Sequence, residues 1–280
     1  KTTAQDSASG VNSRYCSPIF RAAIEMYTDS HAHLGDEKLF PCIDEILGRA
    51  KEAGLGHIIS IATDRPTLQR SQSIQKKHPQ VVVAGATTPH DVMTLGESDF
   101  SCFAEAACRK EIIAIGETGL DYHYAHSPQA LQQEFLRRYL RLAKETALPV
   151  IIHCREAFSD LFRILDQEYA EGTGILHCFT GTLHEAEELV TRGWMISFSG
   201  IVTFKKSHAL QEVAASVPLS QLLVETDAPY LAPQSKRGQV NEPSYLPETV
   251  AYLAQLKGIP VAEVARATTL NLQRLLGLLS

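Results

Sequence analysis

Eight short runs of almost uninterrupted apolar residues, separated by longer amphipathic stretches, constrain this chain more than any other feature of its sequence. The runs are Met26 to Asp29, His57 to Ile61, Val81 to Ala86, Ile112 to Gly116, Val150 to His153, Gly174 to His177, Trp194 to Ser197 and Leu222 to Glu225. A strand with one wet face alternates apolar and polar residues. One that is apolar throughout is buried on both faces, as in a parallel sheet covered by helices. Helical periodicity follows at Ile43 to Ala53, Thr67 to Lys77, Pro128 to Thr146, Ala157 to Glu168 and Leu183 to Arg192, and again at Leu246 to Leu256 and Val261 to Leu276. The pattern predicts repeated βα units closing into a single-domain (β/α)8 TIM barrel. The competing open, doubly wound sheet lacks its usual mark, since no G-x-G-x-x-G follows the first run.

Residues 1–25 are rich in Ser, Thr, Ala and Asn and show neither periodicity, so they are read as a poorly ordered leader, with the barrel spanning 26–280. Those 255 residues match the typical barrel length of about 250. Lys and Arg number 26 against 32 Asp and Glu, a net charge of −6, which leaves no broad basic field to hold duplex nucleic acid. A phosphate-bearing substrate must be gripped locally. No run approaches the ~18 to 20 apolar residues of a membrane-spanning helix. The six cysteines show no C-x-x-C spacing and read as buried thiols of a reducing compartment, which makes the cytoplasm the expected location.

Residue types that bind metals gather at the C-terminal ends of the runs: His31 and His33 after the first, Glu117 after the fourth, His153 after the fifth, His177 after the sixth and Asp227 after the eighth. In a barrel those ends form one rim, where active sites are built, and strand alternation puts His31 and His33 on the same face. Taken singly, each histidine is most simply a hydrogen-bonded structural residue. Together, four histidines and two carboxylates suit divalent cations such as Mg, Mn or Zn and exceed what one tetrahedral site can use. Two ions are expected, with Glu117 as the bridge, because each oxygen of a carboxylate can take one ion at the ~3.5–4 Å spacing of two-metal hydrolases. Such a pair lowers the pKa of bound water and stabilises charge on phosphoryl oxygens, so hydrolysis is the expected chemistry.

These segments resemble the TatD-type metal-dependent deoxyribonucleases of the amidohydrolase-like superfamily. The resemblance rests on D-S-H-A-H-L (Asp29 to Leu34), G-E-T-G-L-D-Y (Gly116 to Tyr122), I-I-H-C-R-E-A (Ile151 to Ala157), L-H-C-F-T-G (Leu176 to Gly181) and V-E-T-D-A-P-Y-L-A-P (Val224 to Pro233), with R-G-x-x-N-E-P (Arg237 to Pro243) closing the set. It covers the chain from about Met26 onward. It implies that His31, His33 and Asp227 bind one metal, His153 and His177 the other, and Glu117 both. Asp227 is the candidate general base, taking the proton of a water activated by the metal pair. Glu225 ranks behind it as an alternative ligand or supporting residue.

Arg155, two residues beyond His153, is placed to fork onto a phosphate, unless it pairs with Glu156. Lys205 and Arg237 are weaker candidates for the same local positive patch. Tyr122, His123 and Tyr230 fall in rim loops where aromatic faces can stack on an unpaired base. His57, His78, His184 and His208 are read as structural. One departure stands out: where the family usually has G-x-H-P after the third strand, this chain reads Ala86-Thr87-Thr88-Pro89, so Thr88 replaces a rim histidine, with His90 just beyond. The resemblance points to cleavage of DNA phosphodiesters, with single-stranded or frayed 3′ ends as substrate, because a confined pocket accepts an end more easily than the middle of a duplex. The same site type also suits amides, lactones or esters, including an ester on tRNA, and Thr88 leaves room for a scaffold that binds no metal.

Overall fold

All eight apolar runs form strands of one parallel sheet: β1 (Tyr27–Ala32), β2 (Leu55–Ala62), β3 (Val81–Gly85), β4 (Ala114–Asp121), β5 (Val150–Arg155), β6 (Gly174–Leu176), β7 (Met195–Phe198) and β8 (Leu222–Val224), in sequence order. The computed structural model describes residues 27–277, so the leader expected at 1–25 lies outside the described residues. Between and after the strands run α1 (Ile43–Glu52), α2 (Arg65–Lys77), α3 (Gly96–Cys108), α4 (Gln129–Thr146), α5 (Phe158–Glu168), α6 (Leu183–Thr191), α7 (His208–Ser216), α8 (Leu246–Lys257) and α9 (Val261–Leu275). The architecture is a single (β/α)8 TIM barrel. Helices α2 and α6 start in capping boxes, where Asp64 and Thr182 accept from the backbone N–H three residues on and the residue there returns a bond. No helix among the described residues is long and apolar enough to cross a membrane.

Two apolar layers hold the barrel. An inner one joins Ile59 and Ile61 of β2, Ala84 of β3, Ala114 of β4, Ile151 of β5, Ile175 of β6, Met195 of β7 and Leu223 of β8 to Leu272 of α9, which stoppers one end. The outer layer packs alternate residues of the same strands, such as Ile58, Val83, Ile152 and Val224, against the helices. Burial on both faces is why the strands read as unbroken apolar runs.

The seam between β1 and β8 closes at the site end. Ala32 bridges Ala228 in parallel, the His33 N–H donates to the Ala228 carbonyl at 2.7 Å, and the Asp227 N–H donates to the His31 carbonyl at 2.9 Å. Asp29 clamps the same seam by accepting from the Thr226 N–H, the Thr226 hydroxyl and the His31 N–H. Burial pushes its carboxyl up to about 7 against the pull of those bonds.

Two details depart from the sequence expectations. Helices α3 and α7 were absent from the periodic stretches. The first opens on Gly96-Glu97-Ser98-Asp99, residues that favour caps and turns, and the second buries only Val213 and Ala214. The cysteines are not uniformly buried: Cys154 is, but Cys42 and Cys108 are exposed, because they fall at the ends of helical segments that face solvent. Cys16 lies outside the described residues.

Candidate metal centre

Register shifts aim the site residues inward. In β4, Ala114 faces the barrel interior and Ile115 the helices, so simple alternation would turn Glu117 outward. A break in the β4–β5 register between Ile115 and Thr118 reverses the parity, and Glu117 and Asp121 then point into the mouth of the barrel while Leu120 packs outward. A similar irregularity between Asp29 and Ala32 in β1 does the same for His31 and His33. Gly119 is required between Glu117 and Asp121, since a Cβ there would collide with the His153 carbonyl of β5.

The six side chains singled out from the sequence converge. Nε2 of His31 lies 3.3 Å from Nε2 of His33, 3.4 Å from Oε2 of Glu117 and 3.6 Å from Oδ1 of Asp227. Nε2 of His33 lies 3.6 Å from the same Glu117 oxygen and 3.3 Å from Asp227 Oδ1. On the other side, Oε1 of Glu117 is 3.1 Å from Nδ1 of His153 and 2.9 Å from Nε2 of His177, and those two nitrogens are 3.2 Å apart. Each oxygen of Glu117 therefore serves one histidine pair.

The donor set fits divalent cations. Ligands 2.0–2.2 Å from a tetrahedral centre stand about 3.3–3.6 Å apart, which is the spread within the first group. Among the described residues no hydrogen bond satisfies the buried Oδ1 of Asp227, an arrangement costly for a carboxylate unless a cation satisfies it. The second group, Glu117 Oε1, His153 and His177, is a set of three facing ligands of the kind that leaves a position open.

Carboxylates also stand behind the rings. Oδ2 of Asp121 lies 3.0 Å from Nε2 of His153, and Oε1 of Glu225 lies 3.3 Å from Nδ1 of His177 while accepting from the Cys178 N–H at 2.8 Å. Both contacts fall on the ring nitrogen turned away from Glu117, which fixes the tautomer that presents a lone pair inward. Burial works against charge on every one of these groups, yet the neighbours decide the outcome. Glu117 is held well below the usual carboxylate range by the imidazoles around it, and His177 is raised well above the usual imidazole value by Glu117 and Glu225. Asp227 is likewise held low by His33, His31 and His177, and Asp121 falls to about 2 beside His153. Among the four histidines facing Glu117, only His31, fully buried and stacked 3.9 Å from the His177 ring, is pushed down.

A cavity of about 870 Å³ opens over this centre, lined among others by Thr88, His90, Tyr124, Arg155, Glu156 and Tyr230. Among the described residues Arg155 makes no ion pair. Its guanidinium lies 4.8 Å from the centre of the Tyr124 ring, while Glu156 pairs instead with His123 at 2.7 Å. Lys205 and Arg237 fall outside the lining, and Arg237 stacks over Phe204 at 4.8 Å. Tyr122 also falls outside it, because its hydroxyl donates to Asp160 at 2.8 Å. Thr88 is buried and donates to Asp91 at 3.1 Å, while His90 brings its ring within 5.4 Å of His153. Sequence reasoning missed Asp121 and Tyr124. Alternation along the strand from Glu117 was the available signal for the first, and nothing marked the second.

A (β/α)8 barrel with histidines and carboxylates converging at its strand ends is the framework of a metal-dependent hydrolase. The family model described as TatD related DNase matches residues 28–277, and the chain belongs to that family. It is 39% identical over 251 residues to a protein of Bacillus subtilis named uncharacterized metal-dependent hydrolase YabD, covering 89% of this chain and 98% of the relative. It is 32% identical over 241 residues to the 3′-5′ ssDNA/RNA exonuclease TatD of Citrobacter rodentium, covering 84% of this chain and 92% of that one. The crystal structure of YjjV, a TatD homologue from Escherichia coli, superposes with a TM-score of 0.85 at 29% identity, covering 90% of this chain and 98% of that one.

Proposed function

We propose that the protein is a deoxyribonuclease of the 3′-5′ exonuclease type that uses two divalent cations. The observation that carries this reading is the division of Glu117, one oxygen toward His31 and His33 and the other toward His153 and His177. Asp227 completes the first ligand set. Cations bound there supply a lowered pKa for water and polarisation of phosphoryl oxygens. The activity for which the Citrobacter relative is named, on single-stranded DNA and RNA, supports a phosphodiester as the substrate.

The chain's own residues then divide the work. Asp227, which lines the cavity, accepts the proton of the attacking water on its carboxylate. Arg155, with which no carboxylate among the described residues pairs, offers its fork to the non-bridging oxygens of the phosphate. Asp121 and Glu225 keep His153 and His177 in register. The free thiols among the described residues suit a reducing, cytoplasmic setting.

The test is hydrolysis of 5′-labelled single-stranded DNA with added Mg²⁺ or Mn²⁺, run beside a panel of carboxylic esters, lactones and amides. Shortening of the DNA by the wild type but not by Glu117→Ala supports the reading. Turnover confined to the carbonyl panel overturns it.

A further inference from the structure

The metal-facing histidines belong to a longer row of rings that runs between two exposed tyrosines, with the rings of His123 and His126 also beside Tyr124 at 4.9 and 5.7 Å. From Tyr124 the row passes to His90 at 5.8 Å and His153 at 5.4 Å, crosses His177, His31 and His33, and ends at Tyr230, 5.8 Å from His33. Tyr124 and Tyr230 are 53% and 45% exposed, although both line the cavity. Tyr124 follows β4 and Tyr230 follows β8. In a closed barrel with strands in sequence order, those two loops stand across the mouth from one another.

We propose that Tyr124 and Tyr230 are two base platforms that hold the nucleotides on either side of the scissile phosphate, so that the site takes a single strand gripped mainly by stacking. The proposal rests on the nuclease reading above and names how that site selects its substrate. Three observations carry it. The metal centre lies between the two rings, so a phosphate there places its flanking bases toward opposite walls. Each ring already carries a cation, Arg155 at 4.8 Å from Tyr124 and Lys38 Nζ at 5.4 Å from Tyr230, beside the backbone a stacked base brings with it. Among the described residues Arg155 is the only Lys or Arg in the lining, against Asp36, Asp91, Glu117, Glu156 and Asp227, so counterion release can supply little of the affinity. A duplex cannot reach both platforms until its terminal bases unstack, whereas a single strand meets that condition at little cost.

The experiment is fluorescence anisotropy with the metal-loaded protein and a 5′-fluorescein thymidylate octamer carrying phosphorothioate linkages at its 3′ end, which slow cleavage and keep the charge. A second strand is identical except that its two 3′-terminal bases are replaced by abasic sites. Stacking of each base adds about 5- to 150-fold in affinity, the equivalent of ~1 to 3 kcal/mol. The thymidylate strand is therefore expected to bind at least fivefold tighter than the abasic one. Tyr124→Leu and Tyr230→Leu should each shrink that ratio, the double variant should bring it near one, and Tyr124→Phe should keep it. The side chains are exposed, and unchanged melting temperatures verify the fold. A wild-type ratio within twofold, with both strands bound, overturns the platforms and leaves the nuclease reading standing. A ratio that survives the double variant does the same. Failure of both strands to bind overturns both.

Discussion

Oδ2 of Asp121 stands 3.0 Å from Nε2 of His153, the ring nitrogen opposite the one that faces Glu117. That contact holds the ring so that its Nδ1 faces Glu117, where a cation would be held. Asp121→Asn keeps the shape but offers an amide where a carboxylate accepted. Metal affinity, read by calorimetric titration, should fall about 10- to 100-fold. Wild-type affinity in that variant would show that His153 needs no partner.

Asp227 differs from the other candidate ligands in offering a buried oxygen that no hydrogen bond among the described residues satisfies. If it takes the proton of the attacking water, Asp227→Asn should lower kcat on single-stranded DNA by about 10²- to 10⁴-fold. The variant should still bind an ion at His153, His177 and Glu117. A kcat within a few-fold of wild type would move the base elsewhere.

Arg155 pairs with no carboxylate among the described residues and rests on an aromatic face, so its worth lies in what it donates to substrate. Charge-assisted bonds of ~1.5 to 3 kcal/mol correspond to a KM for DNA raised about 10- to 150-fold in Arg155→Met. Arg155→Lys should recover only part, since an ammonium lacks the planar fork. Steady-state kinetics on the labelled strand separate KM from kcat.

Away from the metal centre, Arg49 of α1 grips Glu242 in a two-pronged bond, with contacts of 2.8 and 2.6 Å. Burial raises the Glu242 carboxyl, but Arg49 and Ser244 outweigh it and hold the group below its ordinary 4.5. A depressed pKa in the folded state means stability that is present above the unfolded value and lost as pH falls below about 4.5 through the folded one. With Arg49 partly in solvent, Glu242→Gln should cost about 1–2 kcal/mol at pH 7 and converge on the wild type at low pH. Urea midpoints across that range measure it. A constant gap between the two proteins would contradict the ion pair as its source.

Much of this was legible before the structure, and for physical reasons. A parallel barrel buries both faces of its strands, so the runs announced themselves, and the strand ends then brought His31, His33, Glu117, His153, His177 and Asp227 to one rim. What stayed hidden depended on side-chain direction. Tyr122 and Tyr124 are two residues apart in the same loop, yet Asp160 of α5 and Gln133 of α4 draw the first back against those helices while the second lines the cavity. Arg237 looked available until Phe204 took its guanidinium. Asp121 was obscured because the fourth run was read as ending at Gly116, whereas β4 continues through Glu117 to Asp121 once Gly119 admits the His153 backbone.

The central claim is that Glu117 joins two cation sites. It is tested most directly by counting divalent ions per chain, by mass spectrometry of elements after equilibration with micromolar Mn²⁺ and removal of free ion. The wild type is expected to retain close to two, and Glu117→Ala one or fewer. A wild type holding a single ion, or a Glu117→Ala variant still holding two, would contradict it.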